Sequence, residues 1–290
     1  MTIYENKLSS YQKNQDAIIS AKELEEWHLI GLLDHSIDAV IVPNYFLEQE
    51  CMTISERIKK SKYFSAYPGH PSVSRLGQEL YECESELELA KYQEDAPTLI
   101  KEMRRLVHPY ISPIDRLRVE VDDIWSYGCN LAKLGDKKLF AGIVREFKED
   151  NPGAPHCDVM AWGFLHCDVM AWGFLEYYKD KPNIINQIAA NVYLKTSASG
   201  GEIVLWDEWP TQSEYIALAY KTDDPASFGL DSKKIAQPKL EIQPNQGDLI
   251  LFNSMRIHAV KKIETGVRMT WGCLIGYSGT DKPLVIWLTG

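Results

Sequence analysis

The sequence predicts a mainly β fold with flanking helices, and three observations carry that prediction. From about residue 140 the chain changes to short apolar runs separated by Gly, Pro and Asn, the pattern of a sandwich, jelly roll or barrel. Before it, residues 47–58 and 84–108 place apolar side chains at helical spacing. Near the C-terminus, Gly247-Asp248-Leu249-Ile250-Leu251-Phe252 leads to Ile257-His258-Ala259-Val260 and then to Gly266-Val267-Arg268-Met269-Thr270. That is a strand carrying a histidine, a turn, and a strand carrying an arginine ten residues later.

Taken in order, residues 1–36 are polar and partly helical, with good helix formers from Ala21 to Trp27. Ala39 to Val42 is a short apolar run stopped by Pro43, which suits a strand. Leu47 to Ile58 follows as a helix. Tyr67 to Ser74 contains Pro, Gly and Ser and reads as a loop. Residues 84–108 read as a long amphipathic helix ending near His108-Pro109. Strands are expected at Phe140–Phe147, Gln187–Leu194, Glu202–Trp206, Lys239–Ile242, Leu249–Phe252 and Met269–Tyr277. Asp207 to Pro238 has few strand signals, and long insertions of this kind often cover a site. One domain is expected over the 290 residues, with helical support and an opening strand in about 1–110 and the β core in about 111–290, carrying a lid-like insertion at 207–238.

A formal net charge of −10 argues against a sequence-independent grip on nucleic-acid phosphates, though not against a local basic pocket. The six cysteines, Cys51, Cys83, Cys129, Cys157, Cys167 and Cys273, form no Cys-x-x-Cys pair, and no secretory leader is evident at Met1-Thr2-Ile3-Tyr4. Reduced thiols in the cytoplasm are therefore expected. No apolar run approaches membrane-spanning length, so a soluble protein with no membrane partner is expected.

His156-Cys157-Asp158 is a His-x-Asp. Joined to a distant His, it makes a ligand set that leaves iron with open coordination positions. The segment His156 to Leu165 is repeated without change as His166 to Leu175. Two copies are too few for a repeat architecture, and one iron uses one pair. The first copy follows a strand, the polar turn Lys148 to Gly153, and Ala154-Pro155. The second keeps Glu176-Tyr177-Tyr178-Lys179 and lies nearer the Gln187 strand. A ten-residue shift preserves facing in a strand, so either copy could present His and Asp inward. The residues by themselves leave both pairs open, His156 with Asp158 and the competing His166 with Asp168.

The order His-x-Asp, a long gap, His, then Arg about ten residues on resembles the iron(II)- and 2-oxoglutarate-dependent oxygenases. Gly200-Gly201-Glu202-Ile203-Val204-Leu205 is similar to their Gly-Gly-Glu strand, and Gly247 to Phe252 to the strand before the distal His. Ala39 to Phe46 is similar to the strand that opens many members. The resemblance covers roughly 140–280 and looks closest to bacterial small-molecule hydroxylases and halogenases.

The resemblance implies a double-stranded β-helix, a jelly-roll (cupin-like) core, with iron(II) on His156, Asp158 and His258. Arg268 alternates with apolar neighbours, and an inward arginine needs an anionic partner. The distal carboxylate of 2-oxoglutarate would supply one, with Thr270 adding a hydroxyl. Asn191, Tyr193 and Arg145 lie on strands that line the pocket in similar enzymes, and Asn191 is carried forward as a cofactor contact. The implied reaction uses O2 and 2-oxoglutarate, releases succinate and carbon dioxide, and hydroxylates an unactivated C–H of a small molecule such as an amino acid or specialised metabolite. In related halogenases the Asp position is Gly or Ala. Both copies here keep Asp, which favours hydroxylation. The acidic balance counts against the nucleic-acid repair branch.

Three rivals remain: a protein side-chain hydroxylase, a non-catalytic jelly-roll binding protein, and a zinc hydrolase, which would leave Arg268 unexplained. His28, His35, His70 and His108 have no metal spacing and read as structural or exposed. Trp206, Trp209 and Trp271 read as core, and Gly200-Gly201 as a tight turn with close backbone approach.

Overall fold

The computed structural model describes residues 18–67, 70–80, 83, 85–149, 155–156, 183–219 and 229–287. Its N-terminal part runs β1 (Ile18–Ser20), α1 (Glu26–Leu33), β2 (Ala39–Val42), α2 (Glu48–Lys59), β3 (Ser65–Tyr67), β4 (His70–Leu76), α3 (Glu86–Val107) and α4 (Pro113–Ile124). Strands then dominate: β5 (Cys129–Leu131), β6 (Lys133–Leu134), β7 (Lys137–Lys138), β8 (Ile143–Phe147), β9 (Asn186–Lys195), β10 (Ser199–Gly200) and β11 (Ile203–Leu205). A short helix, α5 (Gln212–Leu218), precedes β12 (Leu240–Ile242), β13 (Leu249–Asn253), β14 (His258–Val260), β15 (Ile263–Thr265), β16 (Arg268–Tyr277) and β17 (Leu284–Trp287).

A 10-stranded sheet has the order β1-β2-β13-β9-β16-β8-β4-β3, with β17 beside the far half of β16 and β5 beyond it. Its central strands are apolar almost without interruption because both faces are covered, and every residue of β13 is buried. Side chains alternate across a strand, so the pairing registers sort the sheet into two faces. Arg268, Thr270 and Gly272 share one face with Asn191 and Tyr193 of β9, Arg145 and Phe147 of β8, and Ile250 and Phe252 of β13. Trp271 takes the other face, which carries the helices, and lines a small cavity with Met103 of α3 and Ile114 of α4. Cys51 of α2 packs on the same side, against the backbone of Tyr193.

A smaller sheet, β12-β11-β14, lies opposite the first face. Leu205 pairs with His258 and both point inward, where the His258 ring meets Phe252 with centroids 5.1 Å apart. Val204 and Ala259 point outward and are covered by Trp206, Tyr215, Leu230 and Ile257. The described part of the 207–238 insertion therefore packs on the outer face of the small sheet, away from the His258 side. Residues 220–228 lie outside the described residues.

All six expected strands are present within a few residues of their expected bounds, as are the strand at Ala39–Val42 and the helices at 48–59 and 86–107. Ser85 caps α3 by accepting from the Glu88 amide. Two expectations are corrected. Tyr67 to Ser74, read as a loop, contains the end of β3 and most of β4, which pairs with β8 from Val73 to Leu76. Its Pro and Ser are weak strand formers, and pairing with two neighbours overrides that weakness. The N-terminal helix also starts later than expected, at Glu26, with Glu25 as its cap. Gly247 (φ +89) fits because a Cβ there would lie 2.1 Å from the Phe46 carbonyl oxygen.

Candidate metal and cosubstrate site

His156 and His258 meet as an antiparallel bridge. The His156 amide donates to the His258 carbonyl at 2.8 Å and the His258 amide to the His156 carbonyl at 2.7 Å, with ring centroids 4.3 Å apart. His258 Nδ1 lies 2.9 Å from the Arg256 carbonyl oxygen. A carbonyl only accepts, so Nδ1 carries the proton and the ring lone pair falls on Nε2, the tautomer suited to a metal.

Arg256 anchors this strand from below. It is 1% exposed, its Nη1 donates to Asp38 at 2.8 Å, and its Nε donates to the Trp206 carbonyl at 2.7 Å. Lys239 shares the Asp38 carboxylate at 2.8 Å. The Ile257 amide donates to Glu208, and the Trp206 amide to Ile257. The segment that delivers His258 is thus tied both to the start of β2 and to the end of β11.

Across the cleft, Arg268 is 5% exposed. Its Nη2 donates to Tyr193 Oη at 3.2 Å, and its guanidinium lies 5.2 Å from the Tyr193 ring and 5.4 Å from that of Phe147. Its Nε is buried with no hydrogen-bond partner, and no carboxylate pairs with it among the described residues. A buried guanidinium without a counter-ion is costly, so this position suits an anion that arrives with a ligand. Gly201 keeps that approach open, since a Cβ there would lie 3.6 Å from Arg268 Cδ and 2.5 Å from Ser197 Oγ. Thr270 is buried on the same face. Asn191 is half-buried there, and Gly272 makes room for it, because a Cβ at 272 would sit 2.3 Å from Asn191 Oδ1.

Two histidine candidates are therefore brought together, and Arg268, Thr270 and Asn191 share the face they look onto. Asp158, His166 and Asp168 lie outside the described residues, as does the whole of the second copy. Among the described residues no three His, Cys, Asp or Glu side chains converge as a metal site. Two of the remaining histidines do structural work: His28 Nδ1 accepts from the Glu25 amide, and His35 stacks on Trp209 with centroids 4.2 Å apart.

Residues 25–287 match the family described as carrier-protein-independent halogenase WelO5. The chain belongs to this family. It is an iron(II)- and 2-oxoglutarate-dependent oxygenase, with iron as its metal and 2-oxoglutarate as its cosubstrate. The fold is also that of an N-substituted L-amino acid dioxygenase from Burkholderia ambifaria AMMD. That structure aligns with a TM-score of 0.59 and 17% identity over 90% of each chain, and its α-ketoglutarate complex with 0.56 and 17% over 89% of each. HygX from Streptomyces hygroscopicus, with nickel and 2-oxoglutarate bound, has a TM-score of 0.43 and 14% identity over 87% of this chain and 86% of HygX. No curated protein sequence gives a significant match.

Within the WelO5 family frame, sequence reasoning missed four residues that build the site's surroundings. Asp38 pairs with Arg256 from 218 positions away, and nothing near either residue signals it. Glu79 and Tyr67 clasp Arg145 in the same long-range way. Arg256 had one weak signal, its place two residues before His258, in the turn between β13 and β14. Alternation alone does not say which carboxylate would neutralise it.

Proposed function

We propose that this oxygenase hydroxylates an unactivated C–H of a small molecule, an amino acid or specialised metabolite, on a double-stranded β-helix. The observation that carries this reading is Arg268, a buried guanidinium with an unpartnered Nε on the sheet face opposite His258. The residues present fit the group: His156 and His258 would hold iron(II) together with Asp158, and Arg268, Thr270 and Asn191 would hold 2-oxoglutarate. Bound iron and 2-oxoglutarate supply the oxidising chemistry, with succinate and carbon dioxide released. The chain's own residues orient and exclude. The Arg256 carbonyl keeps the proton on Nδ1 of His258, Tyr193 orients Arg268, and Phe147 and Phe252 keep the cleft walls apolar.

The family's name favours halogenation as the second reading. Asp158, or Asp168 in the other copy, supports hydroxylation, because a ligating carboxylate occupies the position a halide would need. The fold shared with an amino acid dioxygenase supports an amino-acid-like substrate. Among the described residues four buried free cysteines support a reducing, cytoplasmic setting, and no helix there is long and apolar enough to cross a membrane.

The test is anaerobic loading with iron(II) and 2-oxoglutarate, followed by oxygen, in wild type, His156→Ala and His166→Ala. Visible absorbance of the iron–2-oxoglutarate chelate and succinate formation are the readouts. Wild type and His166→Ala are expected to form the chelate and succinate, and His156→Ala neither. The same outcome in both variants sinks the ligand assignment. Chloride is expected to leave the chelate spectrum unchanged, and a chloride-dependent shift would move the reading to halogenation.

A further inference from the structure

One charged cluster on the cleft face borders the site described above without holding the metal or the cosubstrate. Arg145 stands directly beside Thr270 in the pairing register, and Arg75 of β4 stands beside Arg145. Arg145 Nε donates to Glu79 Oε1 at 3.0 Å and to Tyr67 Oη at 3.1 Å, and its Nη2 also donates to Glu79. Glu79 is 1% exposed, and its second oxygen takes Arg75 Nη1 at 3.2 Å. Arg75 in turn lies over the Tyr67 ring at 4.2 Å.

This clasp does more than neutralise Glu79, which Arg75 and Tyr67 already contact. It fixes Nε and Nη2 of Arg145 and leaves Nη1 engaged by no described residue. The pattern along β8 sets the face on which Arg145 stands. Val144 and Glu146 are buried on the helix side, whereas Arg145 and Phe147 on the cleft side are only half-buried. A planar guanidinium locked on two of its nitrogens loses little freedom when its remaining edge takes a carboxylate. Arg268, two residues along from Thr270, is the separate arginine for the cosubstrate.

We propose that Arg145, held by Glu79 and Tyr67, recognises a carboxylate on the organic substrate, so that the substrate is a small organic acid. This rests on the oxygenase reading of the same cleft and adds the substrate's chemical class to it. Arg145 is then a specificity residue, and Glu79 and Tyr67 are its positioning residues.

The test titrates acetate, benzoate and N-acetyl-L-leucine, with N-acetyl-L-leucinamide as the uncharged counterpart. Calorimetry is run on metal-free protein and on protein loaded anaerobically with iron(II) and 2-oxoglutarate. Chelate absorbance reports the cosubstrate by itself, so failure of the oxygenase reading shows there and failure of this inference shows in the titrations. N-acetyl-L-leucine is expected to bind at least about tenfold more tightly than its amide, the size of one charge-assisted hydrogen bond. Arg145→Gln is expected to erase that difference, Arg145→Lys to keep part of it, and both to leave 2-oxoglutarate affinity unchanged. Arg145→Gln leaves Glu79 on Arg75 and Tyr67. Should it fail to fold, Arg145→Lys and the acid–amide comparison in wild type decide. The assignment is overturned if none of the acids binds wild type, if acid and amide bind alike, or if Arg145→Gln weakens 2-oxoglutarate instead of the acid.

Discussion

Replacing Arg256 with Met tests whether the buried pair beneath His258 holds the His258 strand in place. Removing one partner of a buried ion pair costs about 3–5 kcal/mol, chiefly because the other charge is left stranded. Asp38 is not wholly stranded, since Lys239 remains 2.8 Å from its other oxygen. Met also replaces much of the arginine stem, so about 3 kcal/mol is expected, the low end of that range. With an unfolding entropy of roughly 2.1 cal/mol/K per residue, the 290-residue chain has about 0.6 kcal/mol/K, and the melting temperature falls by about 5 °C. The double variant Asp38→Leu/Arg256→Met removes both charges and is expected to recover at least half of the loss. Calorimetric melting of the two single variants and the double variant gives the coupling. Nickel(II) titration gives the consequence for the site, a weakening of about tenfold from a displaced His258. A melting shift in Arg256→Met below about 2 °C, or a double variant that loses the sum of the singles, would refute the reasoning.

Three further outcomes follow from named contacts. Arg268→Met is expected to weaken 2-oxoglutarate binding about 100-fold while leaving the melting temperature of cosubstrate-free protein equal or higher, because its Nε has no partner among the described residues. Chelate titration and calorimetry check the two halves, and lost stability with unchanged binding contradicts the assigned role. Gly200→Ala is expected to cost about 1–3 kcal/mol, and more than Gly135→Ala, by urea unfolding. Both have positive φ, but only at Gly200 would a Cβ meet backbone, 2.0 Å from the Lys262 oxygen. Burial opposes ionisation of Glu79, yet Arg145, Tyr67 and Arg75 outweigh it and hold the carboxyl below its ordinary value. A depressed carboxyl stabilises the fold above its unfolded value of about 4.3 and loses that contribution as pH falls through the lower folded value. The stability advantage of wild type over Glu79→Gln is therefore expected to shrink on acidification below about pH 4, read by unfolding from pH 6 to 3. An advantage that stays constant over that range would remove Glu79's charge from the account.

Local pattern determined a good deal by itself. The run from Gly247 to Thr270 announced a histidine strand and an arginine strand, because alternation and apolar flanks are written in neighbouring residues. The same logic located the strands from β8 to β16 and the helices around 48–59 and 86–107. Facing is a local property, and partnership is not. Two identical His-x-Asp copies differ only in their flanks, whose resemblance favoured His156, and sheet pairing then sets His156 in a bridge with His258, while His166 lies outside the described residues. Pro- and Ser-rich β4 became a strand because β3 and β8 supply its hydrogen bonds. Asp38 beneath Arg256 and Glu79 beneath Arg145 were invisible for the same reason. A buried charge must find its counter-ion wherever the fold brings one, and that meeting depends on sheet order and register, which no short stretch of residues contains.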